Sequence, residues 1–398
     1  MSITSVEAAL ASAASYLIPG QAHYRSMFGP DGFTPAEDLP WMLLEPIKNE
    51  IDNTPEIVRI ASEWFQGDSG ASLARAFVYR LFEKVDPSQI VADFLDLGTK
   101  NVLNTILYIG LFGGGVTQSI ELDEGISIMP AVAAPPSKIK EEIFGLNRHG
   151  NSILQRGLGS FWKPNIALVL RDQMAFPEQE DAIRFQSRSE RVQRAIRALT
   201  LASGYAFVSS WQATWIDHPA IPYEGFGTWN ASGSFAAMPI PWQADSVDPI
   251  LAKAMYEKLG TLLPTMQEPV GLAIDRLGRS RVHTPSADSA LDLGIASEII
   301  LLHGSDSNSE LSYRLSLHGA YLLDKDGQDR EIIFGGFRSL YAARSQAAHR
   351  GKLKVAVRDR LPEFDRLCSR AIRAIVEKQQ FPDWDRLTLG LDEARRMG

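Results

Sequence analysis

From about residue 248 to the end of the chain, apolar residues recur at helical spacing in five segments, near 248–278, 286–303, 309–324, 329–350 and 361–379. The breaks between them are short: Thr284-Pro285, Gly304–Asn308, Asp326-Gly327 and Gly351–Val355. Helices joined by so few residues must turn back on their neighbours, so this half of the chain is expected to be an antiparallel helical bundle.

The preceding part reads differently. Residues 1–100 have mostly helical periodicity, clearest over Pro55–Trp64 and Ala71–Val85. From about 104 the period shortens: Ile106, Tyr108 and Leu111, then Ile120 and Leu122, then Ile126 and Ile128 read as strands. Asp123-Glu124-Gly125 is the predicted turn between the last two, and Asn165–Leu170 is a further strand. Ser187-Arg188-Ser189-Glu190 has the spacing of a capping box and predicts a helix running from there to about Leu201. Residues 219–245, with Trp229 and Trp242, read as loops or a connection between domains. The expected fold class is an α+β N-terminal region over 1–245, with a subdomain break near 100, followed by an all-α antiparallel helical bundle over 246–398.

A content of 45% apolar and 22% charged residues supplies enough material for a core in each part. No apolar run approaches the ~18 residues of a membrane span. Ala8–Ala14, following Glu7 and lacking a basic leader, reads as an amphipathic helix and not a signal peptide. The single cysteine, Cys368, fits a reducing cytoplasm, and with seven scattered histidines it leaves no zinc-ligand spacing. No metal or cofactor is expected. Gly113-Gly114-Gly115 lacks the dinucleotide and P-loop spacings and reads as a turn. Asp324, Asp326 and Asp329 around Gly327 lack the closing Glu of a calcium loop. Gly67-Asp68-Ser69-Gly70 has the letters of a serine-protease nucleophile segment in helical surroundings that do not suit one.

Charge is uneven. The chain carries −8, yet residues 330–380 hold twelve Lys/Arg against five Asp/Glu, a local +7 that leaves −15 elsewhere. A basic segment in an acidic chain suits a polyanionic ligand, or is simply a solvated helical face. Arg188, Arg191, Arg194 and Arg197 form a second basic stripe, which either touches phosphate or faces solvent and pairs with the acidic remainder. Within the 330–380 segment, Arg344 and His349 stand five apart, just before Gly351. A permanent cation beside a group that titrates near neutrality is what metal-free phosphodiester cleavage requires. Five residues along a helix, however, is a rotation of about 140° and a rise of ~7.5 Å, so one helix does not place both on one stripe. They converge at a loosened helix end or across a two-fold interface. Otherwise Arg344 serves an ion pair and His349 serves the helix C-terminus.

The stretch 272–351, about a fifth of the chain, resembles the HEPN superfamily, and within it the Apea-like branch. The resemblance is carried in order by Ala290-Leu291-Asp292-Leu293-Gly294-Ile295-Ala296-Ser297-Glu298, by Glu310-Leu311-Ser312-Tyr313-Arg314-Leu315, and by Leu340-Tyr341-Ala342-Ala343-Arg344-Ser345 leading to His349. It implies a HEPN-like bundle that dimerises with two Arg/His motifs facing each other. It also implies a metal-independent endoribonuclease of the kind found in bacterial toxin and antiphage defence systems. Arg344 and His349 would then be catalytic, with Ser345, Glu298 and Arg314 as supports. Arg350, Lys352 and Lys354 would bind RNA, tRNA among the candidates. The N-terminal region would sense a phage-derived or host trigger, or select the substrate. Other HEPN members are non-catalytic RNA-binding, scaffold or sensor domains. This chain departs from the pattern at Gly335-Gly336 inside a helix, at His318 where Arg is usual, and at Arg350, inserted between His349 and Gly351.

Overall fold

A computed structural model describes residues 3–16, 41–64, 69–82, 84–135, 164–175, 182–220, 246–282, 285–304, 310–324 and 326–391. Trp229, Trp242, Gly67 and Asp68 lie outside these residues; Ser69 and Gly70 open a helix.

The chain begins with helices α1 (Ile3–Tyr16), α2 (Trp41–Asp52), α3 (Pro55–Trp64), α4 (Ser69–Phe82) and α5 (Pro87–Leu97). Asp86 caps α5 by accepting from the Ser88 amide, with Pro87 at the first helical position, where its missing N–H costs nothing. These helices close on their own core, with Phe77 against Phe94 edge to face, and take in Leu103 and Ile216 from the sheet and Ala220 from the turn after its last strand.

Five antiparallel strands follow: β1 (Val102–Phe112), β2 (Ile120–Asp123), β3 (Ile126–Pro130), β4 (Ile166–Ala175) and β5 (Val208–Ile216), in the order β2-β3-β4-β1-β5. The turn at Asp123–Gly125 forms as its letters predict, with Gly125 at φ +90°. Alternation sorts the faces of β4: Ile166, Leu168 and Leu170 point to one core, Ala167 and Val169 to another. Gly113 is a close-packing position, since a Cβ there would come within 2.6 Å of the Phe207 ring.

Helix α6 (Ala182–Leu201) separates β4 from β5. It begins five residues before the predicted start, so Ser187 is interior. The same Ser-x-x-Glu letters serve inside a helix, where Gln186 donates to Glu190 one turn on. The arginine stripe of α6 is used internally. Arg188 pairs with Asp172 of β4, Arg191 with Asp123 of β2, and Arg197 forks onto Asp275, while Arg194 lies over the Tyr256 ring. It pairs with the acidic remainder, fixing α6 to the sheet on one side and to helices on the other.

The last part holds α7 (Pro249–Gly260), α8 (Pro264–Ser280), α9 (Ala287–Leu301), α10 (Leu311–Leu323), α11 (Arg330–Arg350), the single turn α12 (Val355–Arg358), α13 (Leu361–Lys378) and α14 (Trp384–Thr388). The predicted segment 248–278 is thus two helices. Thr261 ends the first, and Pro264, which cannot donate to a preceding turn, starts the second. Helix α9 is apolar around most of its circumference and packs on α8, α10, α11 and α13. One continuous core joins these helices to α6 and to one sheet face. A buried polar junction in it is Arg281, 1% exposed. It forks onto Asp365 of α13 at 2.7 and 3.1 Å, donates to Ser369, and reaches the carbonyls of Thr200, Ser203 and Tyr205 at the end of α6. The molecule is therefore an α+β region with a small antiparallel sheet, together with a helical region. No described helix is long and apolar enough to cross a membrane.

Candidate active site

The C-terminal end of α11 is closed by Gly351 at φ +63°, whose amide donates to the Ala347 carbonyl at 2.9 Å. His349 and Arg350 stand in this last turn, exposed, where positive charge is favoured by the helix carbonyls.

Arg344 points elsewhere. Its stem crosses α9 at Gly294, where any Cβ would collide with it. Its guanidinium meets Glu298, with Nη2 donating to Oε2 at 3.4 Å and Nε 3.3 Å from Oε1 without a hydrogen bond. Burial pushes the Glu298 carboxyl above the ordinary range, and the Arg344 charge draws it partly back. So the structure brings Arg344 and Glu298 together and turns His349 away from both, as the 140° rotation requires.

His349 instead opens on a groove of ≈610 Å³ between α11, α12 and α13. Ser345 and Gln346 line it from α11, beside His349 and Arg350; Lys354, Arg360 and Val357 close the opposite side. Arg360 is held in place: its guanidinium lies 5.0 Å over the Phe364 ring and forks onto Glu363 at 2.9 and 3.0 Å. Lys352 is exposed in the turn after Gly351 and does not line the groove. Among the described residues, Arg350, Lys352 and Lys354 have no carboxylate partner. Arg314 stands one turn before His318 on α10. His318 is a core residue: Nδ1 bonds the Leu301 carbonyl and the ring stacks on Trp384 at 4.5 Å. Burial lowers its pKa; the Leu301 bond opposes that shift and the Arg314 charge adds to it.

The mid-helix glycines have different reasons to be there. A Cβ on Gly336 would meet Leu367 of α13 at 2.5 Å, so that glycine sets how closely α11 and α13 approach, whereas Gly335 faces open space. The Asp324 carboxylate accepts the amides of Asp326, Gly327 and Asp329, forming a turn. Among the described residues no group of three or more His, Cys, Asp or Glu is placed to hold a metal ion.

Arg360 and the wall it belongs to are not legible in the sequence, because residues 356–360 fall between the break at Gly351–Val355 and the helical segment 361–379 and match neither. The Val355/Val357 pair flanked by Lys354 and Arg358 was the available signal for a short ordered turn. Comparison with protein-family models, curated proteins and solved structures finds no match for this chain.

Proposed function

We propose that the chain is a metal-independent endoribonuclease that works as a homodimer of HEPN-like bundles. The observation that supports it most is the exposed His349 at the mouth of a cationic groove, on the helix that also carries Arg344. In this reading His349 removes the proton from a ribose 2′-hydroxyl. The 2′-oxygen bonds to phosphorus, the bond to the 5′-oxygen breaks, and an imidazolium returns a proton to the leaving oxygen. The products are a 2′,3′-cyclic phosphate and a 5′-hydroxyl. Arg344 stabilises the charge that accumulates on the pentacovalent phosphate. Because Arg344 and His349 face different sides of α11 in one chain, a second copy has to complete the site, with Arg344 leaving or sharing Glu298. Ser345, next to Arg344 and on the groove with His349, supports the pair by hydrogen bonding. The N-terminal α+β region senses the trigger in an antiphage or toxin system.

The Arg344–Glu298 pair and the helix-end placement of His349 also favour a second reading, a non-catalytic HEPN module that binds RNA as a scaffold or sensor. Incubating a varied RNA pool, tRNA included, in EDTA with the wild type, His349→Ala and Arg344→Ala separates the two. The enzyme reading expects cyclic-phosphate ends from the wild type alone and no cleavage of DNA. Cutting that persists in both variants would refute the mechanism. RNA binding without any cutting would favour the scaffold.

A further inference from the structure

The cations that share a surface with His349 are not the one five residues before it. Arg350, Lys354 and Arg360 line the same groove as His349, while Arg344 is tied to Glu298 on another side of α11. We propose that this groove is a nucleotide subsite, built within one chain, that holds one phosphate-bearing nucleotide of single-stranded RNA beside His349. The choice of RNA over other nucleotide ligands rests on the ribonuclease reading; the phosphate site itself does not.

Three features support it. The space, ≈610 Å³, is within the range of small-ligand sites and is open along one side, so it can take one nucleotide of a strand that continues past it. Its charge is net positive: Arg350, Lys354 and Arg360 line it, no carboxylate is among the described lining residues, and Glu363 beside it occupies the Nε and one Nη2 donor of Arg360. Arg360 has N–H donors left, and its plane is fixed by Glu363 and Phe364, so little rotamer freedom is lost on binding an oxyanion. Part of the remaining wall is apolar (Ala342, Val357), which suits a sugar or base face, and Ser345 and Gln346 add polar contacts beside it.

The probe is a 5′-fluorescein oligonucleotide of about 12 residues with 2′-O-methyl riboses, which binds as a single strand but cannot supply the nucleophile. Its affinity is measured by anisotropy for the full-length wild type, Lys354→Gln, Arg360→Gln and, as a control outside the groove, Lys253→Gln of α7. All three positions are exposed, and circular dichroism checks that each variant is folded. Each groove variant is expected to bind roughly 10-fold more weakly at about 50 mM salt, and to lose about 0.7 from the slope of log K against log salt, the value for one single-strand phosphate contact. Lys253→Gln is expected to change affinity less than about two-fold. Groove variants that bind like the wild type, or a wild type that does not bind the probe, would overturn the subsite. An equal loss of affinity for a poly-glutamate peptide would also overturn it, by making the groove a general anion trap. Binding through the groove with no cleavage of unmodified RNA would leave the subsite standing and remove the ribonuclease reading instead.

Discussion

Replacing Arg281 by methionine removes a buried side chain that makes six hydrogen bonds. Its guanidinium is 1% exposed and donates to Asp365, Ser369 and the carbonyls of Thr200, Ser203 and Tyr205. The change leaves Asp365, 3% exposed, as a buried charge without its cation. Removing one partner of a buried pair costs about 3–5 kcal/mol, and carbonyls left without a donor add on the order of 1–3 kcal/mol. The expected loss is about 4–8 kcal/mol, comparable with the whole stability of many proteins. Urea unfolding followed by far-UV circular dichroism measures it. Labelling of Cys368, three residues after Asp365 on α13, reports locally on the same core. Adding Asp365→Leu removes the stranded charge, so the double variant should recover roughly 3 kcal/mol. An Arg281→Met protein within about 1 kcal/mol of wild type would refute the argument. So would a double variant no better than the single one.

The two neighbouring glycines of α11 should respond with opposite signs. Gly335→Ala gains helix propensity in open space and should stabilise by about 0.5–1 kcal/mol, whereas Gly336→Ala drives a methyl into Leu367 and should destabilise by about 1–3 kcal/mol in the same urea assay. His318 carries a pH dependence. Its folded pKa lies below the unfolded value of 6.5, so the stability tied to its neutral form is complete above that pH and is lost as pH falls through the folded pKa. His318→Gln should flatten the fall in urea midpoint between about pH 7.5 and 5.5; an unchanged fall would assign it to other groups. Burial pushes the Cys368 thiol up to about 12, so Ellman's reagent should not label it at pH 8 until the protein opens, and rapid labelling of native protein would contradict the packing of α9 on α13.

Much of the local structure was legible in the residues. The shift from period 3.6 to period 2 near residue 104 located β1, and Asp123-Glu124-Gly125 located the β2–β3 turn, because both signals act through the backbone of a few adjacent residues. Gly351 likewise announced the end of α11. The misjudged points are those where the same letters suit two environments. Ser187-x-x-Glu190 is a capping box at a helix start and an unremarkable pattern inside one. A run such as 248–278 carries helical periodicity on both sides of the turn that Pro264 imposes.

The Arg344/His349 pair shows where local information ends. Helical geometry alone dictates that the two side chains diverge by about 140°, and the structure adds what each one finds on its side. Arg344 finds Glu298 across the gap left by Gly294. His349 finds Lys354 and Arg360, which line the other side of the same groove. Arg281 is the extreme case: its partners lie 76 to 88 residues away in sequence, and as a letter it was one more basic residue near a helix end. The sequence by itself determined the elements, their turns and the uneven charge, since propensity, period and composition are properties of neighbours along the chain. Only the tertiary structure decided which cations are spent on carboxylates and which still face a groove, because pairing depends on distances that chain order does not set.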